Sequence, residues 1–180
     1  MSKAQRQVVL VSGAPGAGKS TLAGPLAAEL GFALLAKDRI KETLGDGVGE
    51  LAWSQRLGAA SRELLLALAA DAPAVMLEAN FWPGDERHER QLRKLDARAV
   101  EVHCACPLAT AMRRYAERRA TRHAAHAEAH RVVSPEAWAK WASPVGLGEL
   151  VSVDTSAPVD VVWLASEVRA KLDASPEAVR

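Results

Sequence analysis

Gly13-Ala14-Pro15-Gly16-Ala17-Gly18-Lys19-Ser20 sets glycines, a lysine and a hydroxyl side chain in the order G-x-x-x-x-G-K-[ST]. Glycine at such positions lets successive backbone N–H groups turn inward, forming a nest for a phosphate oxygen at the start of a helix. Lys19 supplies a full positive charge suited to the β- and γ-phosphates of a nucleoside triphosphate, and Ser20 supplies a hydroxyl suited to Mg²⁺. Thr21 follows, placed to add a hydrogen bond to the α-phosphate. ATP and Mg²⁺ are therefore the implied cofactors. An accidental glycine-rich turn would not be expected to match all four fixed positions between an apolar strand and a helical segment.

This cradle serves hydrolases, switches, motors and phosphotransferases alike, so the fate of the phosphate must be read elsewhere. Asp38 lies just beyond an apolar run, in Lys37-Asp38-Arg39-Ile40-Lys41-Glu42. An acid at the carboxyl end of a parallel strand points into the crevice where open α/β sheets bind ligands, and could take the proton of an attacking hydroxyl. The same residue could cap a helix. Glu78 and Asn80 end the next run, where they could serve the magnesium shell, bind an acceptor, or satisfy loop backbone groups.

Arg113 to Arg131 is dense in Arg, Ala and His. Intervals of four place Arg114, Arg118 and Arg122 on one helical stripe. Such a stripe is often a solvated basic face, but phosphoryl transfer also calls for cations that close over the moving group, and the segment reads as a lid over about 113–131. Arg118 and Arg122 are the candidate catalytic arginines, and Arg114 and Arg118 the candidate nucleotide contacts. His123, His126 and His130 read as polar lid contacts in preference to metal ligands. Trp53, Trp82, Trp138 and Trp141 could shape an acceptor pocket or fill the core. Thr155, after the last apolar run, is expected on the nucleotide side near the base.

These residues need a scaffold, and the sequence describes one. Strand signatures occupy Val8 to Ser12, Val75 to Glu78, Val100 to Cys104 and Leu150 to Val153, with a weaker run at Phe32 to Ala36. Helical spacing fills Lys19 to Leu30, Trp53 to Ala70, Asp85 to Leu95, Leu108 to Arg119, Pro135 to Trp141 and Asp160 to Leu172. Alternating strands and helices, with strands apolar throughout, imply a parallel sheet covered on both faces. Pro25 predicts a kink or a second helical start within the first helix. At 180 residues the chain fits one domain. Apolar residues make up 49% and charged residues 25%, ordinary for a globular protein, and a net charge of +1 gives no field that would by itself gather nucleic acid or lipid. The start of the chain carries neither a signal-peptide core nor a membrane span, so a cytoplasmic location is expected. Cys104 and Cys106 match no common zinc or redox spacing and are expected as reduced, buried thiols.

Taken together, Gly13 to Ser20, Asp38 with a base three residues later, Glu78-Ala-Asn80 and Arg114 with Arg118 resemble the small P-loop kinases. This group includes AAA_33-like and zeta toxin-like predicted kinases, the 5′-kinase domain of phage polynucleotide kinase and, more distantly, chloramphenicol phosphotransferase and gluconate kinase. The resemblance implies a three-layer α/β/α fold with a five-stranded parallel sheet and an Arg-rich helical lid. It implies that Asp38 is the general base, that Lys41 contacts acceptor and phosphate, and that Arg118 is the principal lid arginine. Lys41 stands where the group normally has Arg, replacing a forked donor with a point charge. Thr121-Arg122-His123-Ala-Ala-His126 is similar to an Arg-His-Pro-Gly-His lid stretch of predicted kinases, with Ala-Ala for Pro-Gly. The expected activity is transfer of the γ-phosphoryl group of ATP to a hydroxyl of a small molecule such as an antibiotic, sugar or nucleoside. A polynucleotide 5′-hydroxyl kinase is a second reading, and a nucleotide-dependent switch or ATPase subunit a third.

Overall fold

The structure is a computed structural model that describes residues 5–48, 54–126 and 134–174. In chain order its elements are β1 (Gln7–Ser12), α1 (Lys19–Leu30), β2 (Ala33–Ala36), α2 (Lys37–Val48), α3 (Ser54–Asp71), β3 (Ala74–Glu78), α4 (Glu86–Arg93), β4 (Arg98–Ala105), α5 (Leu108–Glu117), a 3-10 turn (Arg118–Thr121), α6 (Pro135–Trp141), β5 (Glu149–Asp154) and α7 (Val161–Asp173). The five strands pair in parallel in the order β2-β3-β1-β4-β5, which puts β1 at the centre.

Successive residues of a strand point to opposite faces, and both faces are covered here, so β1 is apolar without alternation from Val8 to Val11. Val9 and Val11 enter one core with Leu22, Leu26 and Leu30 of α1 and Leu164 and Val168 of α7. Val8 and Leu10 enter the other with Leu65 and Ala69 of α3. The result is a three-layer α/β/α sandwich. The edge strand β5 departs from the apolar expectation: Val151 and Val153 are buried while Leu150 and Ser152 are exposed, because only one neighbour and one face cover it.

Pro25 neither breaks α1 nor starts a second helix, since the helix runs from Lys19 to Leu30. Its ring is on the exposed face, and the buried Leu22, Ala23, Leu26, Ala27 and Leu30 hold the helix against the sheet. α2 was not anticipated as an element, only as a start signal at Asp38. It follows β2 without a loop, and its Gly45 and Gly47 dilute the helical pattern. Cys104 is buried and Cys106 half-buried, both as free thiols, and burial pushes the Cys104 thiol up to about 12. Among the described residues no helix is long and apolar enough to cross a membrane.

One buried charge fixes the loop that returns the chain to the last strand. Glu101 on β4 is 1% exposed and accepts hydrogen bonds from the backbone N–H groups of Val145 (2.7 Å) and Gly146 (2.8 Å) and from the Ser12 hydroxyl. His103, two residues on, lies 3.0 Å from Ser12 Oγ and donates from Nε2 to the Ala142 carbonyl. Replacing Glu101 by Ala strands these buried donors, and we expect a stability loss of about 3 kcal/mol or more. Urea unfolding measures it, and a loss under about 1 kcal/mol would mean that water satisfies the loop instead.

Candidate functional site

The glycine-rich turn follows β1 directly. Gly13 and Gly16 have φ of 131° and 86°, a region that favours glycine. A Cβ on Gly13 would stand 2.8 Å from the Cys104 carbonyl oxygen, and one on Gly16 would collide with the Ala111 carbonyl of α5. The loop is thus clamped between β4 and α5, with Ala14 and Ala17 buried beneath it. Lys19 is 6% exposed, and its ammonium donates to the carbonyls of Gly13 (2.8 Å) and Ala14 (2.9 Å). Burial lowers its pKa to about 8, against the opposing pull of Glu78, Cys104 and Asp38. Pro15 and Gly18 line the mouth of the loop.

Glu78 ends β3, in register with Val11 of β1, which brings its carboxylate beside the start of α1. The Ser20 hydroxyl donates to Glu78 Oε1 at 3.2 Å. Burial raises the Glu78 pKa despite the neighbouring Lys19, which marks a carboxylate short of positive charge. Asp38 lies in the first turn of α2, not at its cap. Lys37 Nζ stands 3.2 Å from Oδ1 and Arg122 Nη2 3.1 Å from Oδ2. Burial pushes the Asp38 pKa up, but Lys37, His126 and Arg122 together outweigh it and hold the carboxyl below its usual range. Asp38, Glu78, Asn80, Lys19, Ser20, Arg118 and Arg122 all line one small cleft of about 80 Å³ with Tyr115.

A second cleft of about 660 Å³ opens on the other side of the loop, within the range of small-molecule sites. Gly16, Gly18, Thr21, Arg114, Thr155 and Val159 are among its walls. Arg114 donates to the carbonyls of Thr155 (2.9 Å) and Ser156 (3.1 Å), and Thr155 is tied to the Ala105 carbonyl through both its N–H and its hydroxyl. Arg118 borders both clefts. The arrangement can hold a nucleotide with its base in the large cleft and its terminal phosphate at the small one.

A protein-family model described as AAA domain matches residues 8–140. The chain belongs to that family, and its fold is that of the small P-loop kinases. Among solved structures, a candidate kinase from Chloroflexus aurantiacus is 28% identical with a TM-score of 0.76, over 94% of this chain and 100% of that one. The APS kinase of Mycobacterium tuberculosis, solved with AMPPNP and APS, has a TM-score of 0.64 at 20% identity, covering 96% and 100% of the two chains. Shikimate kinase from Acinetobacter baumannii, solved with shikimate, has 0.54 at 15%, covering 92% and 91%. The last two are likenesses of fold. No curated protein matches the sequence significantly.

Several residues of the chain sit where the sequence did not put them. Lys41 is 4% exposed and donates to Ser54 Oγ at 2.9 Å, behind the cleft and outside its lining. Arg114, Arg118 and Arg122 do not form one stripe, because α5 ends at Glu117 and a 3-10 turn follows with a different period. Arg114 therefore faces the Thr155 loop, Arg122 faces Asp38, and Arg118 lies between. Trp138 is 3% exposed and belongs to the core, with Tyr115, Trp141 and Trp82 in ring contact in series with it. Trp53 and His130 lie outside the described residues. Among the described residues no group of three His, Cys, Asp or Glu is placed to hold a metal.

Sequence reasoning overlooked Lys37 and Tyr115. Lys37 had a readable signal, since a base beside a candidate catalytic acid sets its charge state. Tyr115 had none, because its place over Arg122, 5.6 Å from ring centroid to guanidinium carbon, depends on the turn at Arg118.

The lowered Lys19 pKa has a consequence for nucleotide binding. A triphosphate beside the ammonium raises that pKa again, so the complex binds more protons than the free protein above pH 8. Mg·ATP affinity should therefore fall as pH rises through 8, by at most about tenfold per unit, with proton uptake on binding. Calorimetry at pH 8.5 in buffers of different ionisation enthalpy reads this directly. Binding with no proton uptake would contradict it.

Proposed function

We propose that this protein is a kinase that transfers the γ-phosphoryl group of Mg·ATP to a hydroxyl of a small molecule, with Asp38 as the general base. The observation that carries the reading is the placement of the Asp38 carboxylate in the same cleft as Lys19, Ser20, Arg118 and Arg122. The backbone of Gly13 to Gly18 and the Lys19 ammonium would grip the phosphates, with Thr21, Arg114 and Thr155 on the base side. Ser20 and Glu78 fit Mg²⁺, which usually takes one or two protein oxygens beside phosphates and waters, and the raised Glu78 pKa is what a neighbouring cation would relieve. The ion would neutralise phosphate charge when bound.

In the transfer step the acceptor oxygen bonds to the γ-phosphorus while the bond to the β–γ bridging oxygen breaks, leaving ADP, and the acceptor proton passes to Asp38. A depressed pKa suits this role, since the loose transition state of phosphoryl transfer needs only late proton removal. Arg122 holds one carboxylate oxygen in the structure, and we infer that it exchanges that contact for the γ-phosphate as Arg118 closes from the nucleotide side. Asn80 lines the same cleft and would orient the acceptor. Lys41, buried on Ser54, supports a small molecule over a polynucleotide 5′ end, because the cation that would meet a 5′-nucleotide phosphate is outside the lining of the small cleft.

A screen of hydroxyl compounds for Mg²⁺-dependent ADP release, checked by product mass, tests the proposal. A product heavier by one phosphoryl group is expected with some acceptor, and phosphate release alone across a broad panel would leave an ATPase. With an acceptor in hand, Asp38→Asn and Lys19→Ala should fold normally and lower kcat by roughly 10² to 10⁴. Turnover of Asp38→Asn near wild type would remove Asp38 as the base.

A further inference from the structure

Besides the Arg122–Asp38 pair, the turn that carries Arg122 is fastened to α2 by contacts that the transfer step does not use. Asp38, Glu42 and Asp46 follow one another at intervals of four along α2 and so share one face of the helix. Each takes a different partner from the turn. Arg122 pairs with Asp38, His126 Nε2 lies 2.9 Å from Glu42 Oε1, and His123 Nε2 lies 2.9 Å from Asp46 Oδ1. A carboxylate only accepts, so in both histidines Nε2 carries the donated hydrogen. His123 Nδ1 in turn accepts from the Ala125 N–H at 3.1 Å, and the His126 N–H bonds the His123 carbonyl at 2.9 Å.

Between the two histidines the turn is seated as well as bonded. Ala125 is 2% exposed, and its carbonyl accepts from the Ser54 hydroxyl of α3 at 2.8 Å. A Cβ on Gly45 would stand 2.9 Å from the Ala125 Cβ, so glycine at that point of α2 is what lets the turn lie flat. The two pairs differ in setting: His126 is 7% exposed, while Asp46, which meets His123, is 72% exposed. The His126 pair is the shielded one and should dominate. Glu42, Asp38, Arg122 and Lys41 are the charged groups around it.

We propose that His126 with Glu42, seconded by His123 with Asp46, is a latch that sets Arg122 over the small cleft, making the two histidines positioning residues for the phosphoryl group. The proposal rests on the phosphotransfer reading above. Only three residues separate Arg122 from His126, so loss of the latch frees the turn within one short reach of the arginine. The guanidinium would then be present but dispersed over many positions, which weakens contact with the γ-phosphate and leaves contacts to the β-phosphate untouched.

The test compares Mg·ATP with Mg·ADP by titration calorimetry in the full chain without acceptor, using Arg122→Ala as reference. Wild type should favour Mg·ATP, and Arg122→Ala should reduce that preference by about tenfold or more, as loss of a charge-assisted contact does. His126→Ala should approach Arg122→Ala, with Mg·ADP affinity unchanged. His126→Gln should restore most of the preference, because its amide N–H₂ reaches the place of Nε2–H. Glu42→Ala, on the more exposed partner, gives the same reading should His126→Ala fold poorly. If Arg122→Ala lowers the preference while His126→Ala and Glu42→Ala match wild type, the latch is overturned alone. If Arg122→Ala itself matches wild type, the assigned role of Arg122 fails and the latch with it.

Discussion

A single buried ammonium organises this molecule's working end. Lys19 is held by two carbonyls of the loop that also wraps the phosphate site, so the cation and the cradle are one unit of backbone. Burying it is costly, as the fall of its pKa to about 8 records, and the surrounding acids Glu78 and Asp38 only partly compensate. The protein's own groups at the site are therefore a set of charges that do not satisfy one another: a cation with weakened hydration, a carboxylate pushed toward protonation and a second carboxylate shared between Lys37 and Arg122. On the proposed function, a triphosphate with its metal would supply the missing charges of both signs. The fold's part is to hold the mismatch in place, with the apolar central strand on one side and the close approach of α5 to Gly16 on the other.

Legibility in the sequence follows from how local each feature is. The phosphate loop was readable because its glycines, lysine and serine act within eight consecutive residues. The inner strands were readable because burial on both faces makes their runs mostly apolar, and the limits of all five differ by a residue or two from those expected. Asp38, Glu78 and Asn80 could be placed at the cleft because strand tips in a parallel sheet converge on one edge. Features built from distant partners were hidden. Nothing near Glu101 announces that it will receive the backbone of residues 44 and 45 positions onward. Lys41 carries the same sequence signal whether it faces a phosphate or a serine on the next helix, and only the packing of α2 against α3 decides.

The arginines show a subtler limit. Their spacing predicts one stripe only while the helical period persists, and the change to a 3-10 turn at Arg118 sends three equally spaced guanidinium groups to three tasks. That division lets one short segment touch the base-side loop, the junction of the clefts and the candidate base at once.

α2 joins these observations. Two glycines in its last turns cost about 1 kcal/mol each relative to alanine, which weakens the helix locally and concealed it from pattern reading. Yet Gly45 is the position where the arginine-bearing turn comes closest, and a side chain there would lift it away from Asp38. The acids of the exposed stripe that flank this seat have little reason to form a helix together by themselves, since like charges four apart repel. Their alignment becomes favourable once Arg122, His126 and His123 lie against them. The stability of α2 and the position of the turn that carries Arg122 are therefore coupled through these contacts, and on the proposed function a ligand that drew Arg122 toward its phosphates would act on both.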